Sequence, residues 1–372
     1  MPKATETVLE IDLDALGYNF RYLKSKLKGN TKLLGVVKAY GYGSDAVEIS
    51  KELQHLGVDY LAVAYVKEGI LLRNSGIIAP ILVLHPQTVN LELIIDYCLE
   101  PNLYSHLVLD KFIDVSENRD QKDYPAHIKF NTGLNRLGFL EKDIVSIVDK
   151  IDNTDSVLVK SIFSHLAASE DLSERSFSLK QIASYNSICE QFIKYCDDKP
   201  LLHMCNTSGI LNYPEAHFDM VRSGIGLYGY GNSEEYSKEL KPVGTLKSVI
   251  SQIHNLEKGD SVGYNRAYAI EDETEVQSIA TIPIGHADGI SRAYGNGKGW
   301  VTIAGKKAPI VGNVCMDMIM VNCSNIPCRE GDEVIFFGKS TNAEELSHSI
   351  QSISYELITA ISQRVKRVIV KK

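Results

Sequence analysis

The run Leu33-Leu34-Gly35-Val36-Val37-Lys38-Ala39, followed at once by Tyr40-Gly41-Tyr42-Gly43, is an apolar stretch that ends in a lysine and a glycine-rich turn. It is too short for a helix and lacks the alternation of a half-solvated strand, so it reads as a strand buried on both faces, the kind found in parallel sheets. Working outward, seven further runs have the same character, at residues 60–65, 80–84, 102–105, 126–131, 157–165, 201–206 and 220–226. Longer stretches of helical period lie between them, at 46–56, 66–74 and 177–196 among others, with Gly or Pro near several ends. Eight βα units in about 200 residues predict a closed (β/α)8 TIM-type barrel rather than an open doubly wound sheet.

Near Lys241 the texture changes. Alternating segments at 244–254, 275–283, 299–303, 309–314 and 333–338 predict a mostly-β domain, with Gly305-Lys306-Lys307 as a hairpin turn. The expected organisation is a barrel over 1–240, whose extreme N-terminal strand packs with the second domain, and a β domain over 241–372. The chain carries 39 Lys and Arg against 47 Asp and Glu, a net charge of -8, which argues against a polyanionic partner such as nucleic acid. No apolar run approaches the roughly 18 residues of a membrane span. Met1 to Asp12 lacks a basic-then-apolar leader, and seven scattered cysteines suggest reduced thiols, so the reading is cytoplasmic. Cys323 and Cys328 have no nearby histidines, and no metal site is expected.

Reactive groups in such a barrel lie at the carboxyl ends of its strands. Here those ends carry Lys38, then Lys129 with Arg136, then His165, then His203 with Asn206 and Thr207, then Arg222 followed by Ser223-Gly224-Ile225-Gly226. Cations converge with no obvious carboxylate among them, which suits an anionic ligand. A glycine-rich turn after the eighth strand is where barrels bind phosphate through backbone N–H groups. Lys38 emerges from an apolar core among cations, a setting that lowers an ammonium pKa toward nucleophilic use and makes it a Schiff-base candidate. A phosphate site, a reactive lysine and a ring-sized mouth together suggest pyridoxal 5'-phosphate.

Val36-Val37-Lys38-Ala39-Tyr40-Gly41-Tyr42-Gly43 resembles the pyridoxal-lysine signature of bacterial alanine racemases. Agreeing blocks follow in order: Lys129-Phe130-Asn131-Thr132-Gly133-Leu134-Asn135-Arg136, Phe163-Ser164-His165, Met220-Val221-Arg222-Ser223-Gly224-Ile225, Ser261-Val262-Gly263-Tyr264, Gly312-Asn313-Val314-Cys315-Met316-Asp317 and Ile353-Ser354-Tyr355-Glu356. The resemblance implies an isomerase that interconverts L- and D-alanine with pyridoxal 5'-phosphate and supplies D-alanine for peptidoglycan. It also implies a homodimer whose active sites are shared between subunits.

Residue by residue, the resemblance implies that Lys38 holds the cofactor and serves as one base, while Tyr264 from the other subunit serves as the second. Two bases on opposite faces let a Cα proton leave one side and return on the other. Phenols ionise at about pH 10, so cationic company is expected, from His165 and Arg222. Arg222 would donate to the pyridine nitrogen with His203 orienting it, and Tyr42, Thr207, Gly224, Ile225 and Tyr355 would cradle the phosphate. Arg136 and Met316 would bind substrate, supported by Asp317 and by Lys129, a position often carbamylated in the family. Four positions depart from the pattern: His286 stands for a tyrosine, Asn313 for an arginine, Asn131 for an aspartate, and Ser44 interrupts a glycine-histidine stretch. The competing expectations are a broader racemase that also takes serine, a decarboxylase of the same fold type, and a non-catalytic pyridoxal-phosphate carrier.

Overall fold

The computed structural model describes residues 4–196, 198–271 and 276–371. Strand β1 (Val8–Asp12) stands apart from the eight that follow: β2 (Lys32–Val36), β3 (Tyr60–Val63), β4 (Ile81–Val83), β5 (Glu100–Leu103), β6 (Tyr124–Lys129), β7 (Val157–Phe163), β8 (Leu201–His203) and β9 (Met220–Ser223). These eight pair in parallel, and β2 closes on β9 to complete the barrel. All eight expected runs are strands, yet each ends before the expected limit. The polar residues at those limits, among them Lys38, His165 and Asn206, have left the ladder and turned into the loops over the barrel mouth.

Between β6 and β7 the register shifts, with Ala126 opposite Val159 but His127 opposite Ser161. The extra residue, exposed Lys160, makes a bulge that re-aims the rest of β7. Ser161 and Phe163 are buried beyond it.

The C-terminal strands are β10 (Gly244–Val249), β11 (Gln252–Leu256), β12 (Ser261–Val262), β13 (Tyr268–Ala269), β14 (Gln277–Ile282), β15 (Trp300–Ile303), β16 (Lys306–Val311), β17 (Ile319–Asn322), β18 (Glu333–Phe337) and β19 (Lys366–Val370). The run expected at 244–254 is two strands, because β10 pairs with β18 whereas β11 pairs with β14, and the chain turns a corner at Ile250 and Ser251. Of the run expected at 275–283, Glu275 lies outside the described residues. The tight turn between β15 and β16 is Ala304-Gly305, both at positive φ as a two-residue hairpin loop requires, so Lys306 and Lys307 already belong to β16. A nine-stranded sheet runs β11-β14-β17-β16-β15-β18-β10-β1-β19. Strand β1 thus joins the C-terminal sheet, antiparallel to β10 and parallel to β19, before Asp12 caps the helix Leu13–Ser25 by accepting from Ala15 N at 2.9 Å.

That sheet touches the barrel mouth through Arg367 of β19. Its guanidinium donates to the carbonyls of Gly43 (2.8 Å) and Ser44 (3.1 Å), directly after the lysine-bearing turn. Ser44, one of the four departures, contributes here through its backbone.

Candidate active site

A cavity of about 530 Å³ opens at the carboxyl ends of the barrel strands. Lys38, Tyr42, Lys129, Arg136, His165, Thr207, Arg222, Gly224, Ile225 and Tyr355 all line it, and among the described residues no carboxylate does. None of the ion pairs among the described residues involves Lys38, Lys129, Arg136 or Arg222.

Lys38 opens an unusual turn. Ala39, Tyr40, Gly41, Tyr42 and Gly43 all have φ between 51° and 78°, so the chain makes a left-handed helical turn directly after the lysine. Each non-glycine residue in that conformation costs about 1–2 kcal/mol, so outside contacts must hold it. Glu68 is one such contact. It accepts from Ala39 N (2.7 Å), Ala64 N (2.6 Å) and Tyr65 N (3.0 Å), tying the turn to the start of the helix Val66–Asn74. Burial pushes the Lys38 ammonium pKa down, Arg136 adds to the depression, and Glu68 partly opposes it.

Tyr42 stacks on Tyr228 with ring centroids 4.5 Å apart and lies 6.1 Å from the Tyr355 ring. A Cβ at position 224 would meet the Tyr42 hydroxyl at 2.1 Å, so only glycine lets the hydroxyl approach the turn after β9. Gly224 and Ile225 line the cavity and neither N–H finds an acceptor among the described residues, whereas Gly226 N donates to Thr207 Oγ1 at 3.2 Å. Unclaimed backbone donors beside buried hydroxyls form a cradle for a phosphate, and the cationic walls beyond it match an anionic ring cofactor. The residues present therefore fit pyridoxal 5'-phosphate.

Arg222 is fully buried. It donates from Nη1 to His203 Nδ1 (2.6 Å) and from Nη2 to Ser164 O (2.8 Å), His165 Nδ1 (3.0 Å) and Met204 O (3.1 Å). Its guanidinium also lies 5.2 Å from the Phe163 ring centroid. Burial lowers its pKa to about 10, which leaves it charged at neutrality. The same burial, with Arg222 adjacent, holds both His165 and His203 well below the ordinary imidazole range. His165 is therefore neutral and accepts from Arg222. The cationic role expected of the pair falls to Arg222 alone.

Lys129 and Arg136 flank a loop that Asn131 organises. Its Oδ1 accepts from Gly133 N (3.1 Å) and Asn135 N (2.9 Å), so this asparagine supplies the acceptor that the usual aspartate would. Burial, then Arg222, Arg136 and Lys38, depress the Lys129 pKa to about 8.

Tyr264, Met316 and Asp317 do not line this cavity. Tyr264 is 73% exposed and Met316 58%, while Asp317 pairs with Arg364 at 2.7 Å. Asn313 donates to the Tyr264 carbonyl at 3.3 Å, and His286 is exposed, with its N–H bonded to Cys315 O. Among the residues to which sequence reasoning gave no role in the site are Glu68, which holds the lysine-bearing turn, and Asn102 and Phe163, which line the cavity. Glu68 is the third residue of its helix, where a carboxylate reaching back to backbone N–H groups is common, but no Ser, Thr, Asp or Asn precedes it to mark the motif.

A (β/α)8 barrel joined to a β domain, with an anion-accepting mouth built around a half-buried lysine and a buried arginine, is the frame of a barrel enzyme that acts on a small anionic ligand. Family models described as alanine racemase N-terminal domain and alanine racemase C-terminal domain match residues 11–232 and 243–369. The alanine racemase of Clostridium kluyveri is 36% identical over 97% of this chain and 93% of its own length. The solved alanine racemase of Clostridium difficile superposes with a TM-score of 0.91 at 32% identity, covering 99% of this chain and 97% of that one. That of Bartonella henselae, described with covalently bound pyridoxal phosphate, gives 0.88 at 29%, covering 99% and 100%. The chain belongs to the alanine racemase family.

Proposed function

We propose that the protein racemises alanine with pyridoxal 5'-phosphate bound covalently to Lys38, by a two-base mechanism in a homodimer, and that it supplies D-alanine for peptidoglycan from the cytoplasm. The observation that carries the cofactor assignment is the pairing of a half-buried Lys38, its ammonium pKa depressed, with Gly224 and Ile225, whose N–H groups are unclaimed, in one cavity that no carboxylate lines among the described residues. The pyridoxal phosphate described in the Bartonella henselae relative supports the same reading.

When bound, the cofactor supplies the electron sink that acidifies the substrate Cα–H. The chain's own residues do the rest. Gly224, Ile225, Tyr42, Thr207 and Tyr355 hold the phosphate end. Arg222, which can only donate, hydrogen-bonds the pyridine nitrogen without giving up a proton. Lys38 Nζ exchanges the Cα proton on one face, helped by a depressed pKa that makes the free amine accessible. Tyr264 of the partner subunit exchanges it on the other, beside the charged Arg222. Arg136 and the Met316 backbone take the substrate carboxylate, Asp317 supports that loop, and Lys129 as a carbamate gives Arg136 an anionic partner. The exposure of Tyr264 and Met316 supports a shared site, since neither meets the cavity of its own chain.

The test is incubation of the purified holoenzyme with L-alanine and separately with L-serine, read by chiral chromatography. D-alanine formation with little D-serine is expected. Comparable serine turnover would replace alanine selectivity with a broader racemase, and absorption by lysine-bound cofactor without turnover of either would leave a carrier.

A further inference from the structure

Behind Arg222 the barrel interior holds a line of polar side chains of which only His203 has been given a role above. Arg222 Nη1 lies 2.6 Å from His203 Nδ1, His203 Nε2 lies 2.9 Å from Ser161 Oγ, Ser161 Oγ lies 2.6 Å from His127 Nδ1, and His127 Nε2 lies 2.7 Å from a Glu100 carboxylate oxygen. The members come from five consecutive strands, β9, β8, β7, β6 and β5. His127, Ser161 and His203 have no solvent exposure, and only the Glu100 end approaches the surface.

We infer that Glu100, His127 and Ser161 are positioning residues for the site: with His203 they form a relay that orders the protons behind Arg222 and aims its guanidinium as a donor into the cavity. The direction of every bond follows from the two ends. A guanidinium has no acceptor, so His203 Nδ1 must be the bare nitrogen and Nε2 must carry the proton. Nε2–H then donates to Ser161 Oγ, whose own proton points to His127 Nδ1. That leaves His127 with its proton on Nε2, donating to the Glu100 carboxylate, which can only accept. With both rings neutral, one arrangement satisfies all four contacts, and reversing any bond then sets two donors or two acceptors face to face in a buried space, where an unpaired polar group is expensive.

Packing fixes the ring planes as well. His203 stacks on Phe163 with centroids 4.8 Å apart and planes 4° from parallel, and the Tyr60 ring meets His127 edge-on at 6.0 Å. The bulge in β7 is what places Ser161 opposite His127; without the extra Lys160 that link would point elsewhere. The functional consequence, a correctly aimed donor for a heteroaromatic nitrogen, rests on the cofactor reading above, whereas the proton order does not.

The experiment is a long-range nitrogen–proton NMR spectrum of holoenzyme labelled in its histidine rings, together with steady-state kinetics. His203 is expected as a neutral ring protonated at Nε2, and His127 with its proton on Nε2 and Nδ1 bare. In Ser161→Ala the His127 ring should lose its single tautomer, and kcat for alanine should fall roughly tenfold while KM stays within about twofold, the signature of a lost buried hydrogen bond that acts through positioning rather than substrate contact. Glu100→Gln, which keeps an acceptor oxygen, should retain both tautomers, whereas Glu100→Leu should not. A His203 ring protonated at Nδ1 or at both nitrogens in the unaltered enzyme would overturn the relay, as would Ser161→Ala with unchanged tautomers and kcat. If Ser161→Ala does not fold, the spectrum of the unaltered holoenzyme decides. Absence of racemisation would remove the function while leaving the tautomer result to stand or fall by itself.

Discussion

At Lys129 burial and three neighbouring cations act in the same direction. The side chain is 7% exposed, with its ammonium 5.9 Å from the Phe163 ring centroid. A folded pKa of about 8 against an ordinary 10.5 means that below pH 8 both the folded and unfolded chains hold this proton, and the folded one bears the full burial penalty. Between pH 8 and 10.5 the unfolded chain still holds the proton while the folded chain has released it, so this contribution to stability rises with pH. The shift corresponds to about 3 kcal/mol. Lys129→Met should therefore melt above the unaltered protein at pH 7 in bicarbonate-free buffer, and the gap should narrow as pH is raised to 10. A gap independent of pH would show that Lys129 is not held as a strained ammonium. Lys129 could be picked out in the sequence because its residue type and strand-end position carry the signal. Its depressed pKa could not, since Arg222, a main cause, lies 93 positions away and reaches it only when the barrel closes.

The turn over Ala39 to Gly43 shows the same limit for an element. Its strand is legible from the apolar run before Lys38, but nothing local marks a left-handed turn through Ala39, Tyr40 and Tyr42. It is held by Glu68, which takes Ala39 N, and by Arg367, which takes the Gly43 and Ser44 carbonyls from the far end of the chain. Gly43 also has φ +78°, and a Cβ there would lie 2.0 Å from the Ile358 carbonyl oxygen. Gly57, at φ +76° with nothing within 4 Å, isolates the backbone cost alone. Gly57→Ala should cost about 1 kcal/mol, or roughly 2 °C in Tm, whereas Gly43→Ala should cost more than about 4 kcal/mol, or at least about 8 °C, in calorimetric scans. Equal losses would mean that the contact with the Ile358–Thr359 backbone yields easily and does not hold the turn.

Across the whole molecule the groups proposed to act on the substrate divide between the barrel cavity and the exposed surface of the C-terminal region. Lys38, Arg136 and Arg222 lie in the barrel mouth, while Tyr264 and Met316 are exposed on the C-terminal region of the same chain. A second cavity of about 1050 Å³ adjoins the first and shares Arg136, His165, Asn206 and Tyr355 with it. If a two-fold dimer completes each site with the neighbour's Tyr264, lesions in Lys38 and Tyr264 complement each other between subunits. Lys38→Ala and Tyr264→Ala homodimers should each be inactive. Random mixing by co-expression makes half of the dimers hybrids, and each hybrid contains one site with both lesions and one with neither. The mixture should then show about one quarter of the unaltered specific activity, a recovery that two-fold symmetry requires and that two sites confined to single chains could not give. A mixture as inactive as its parents, with hybrids demonstrated by mass spectrometry, would place both bases within one chain and overturn the shared site.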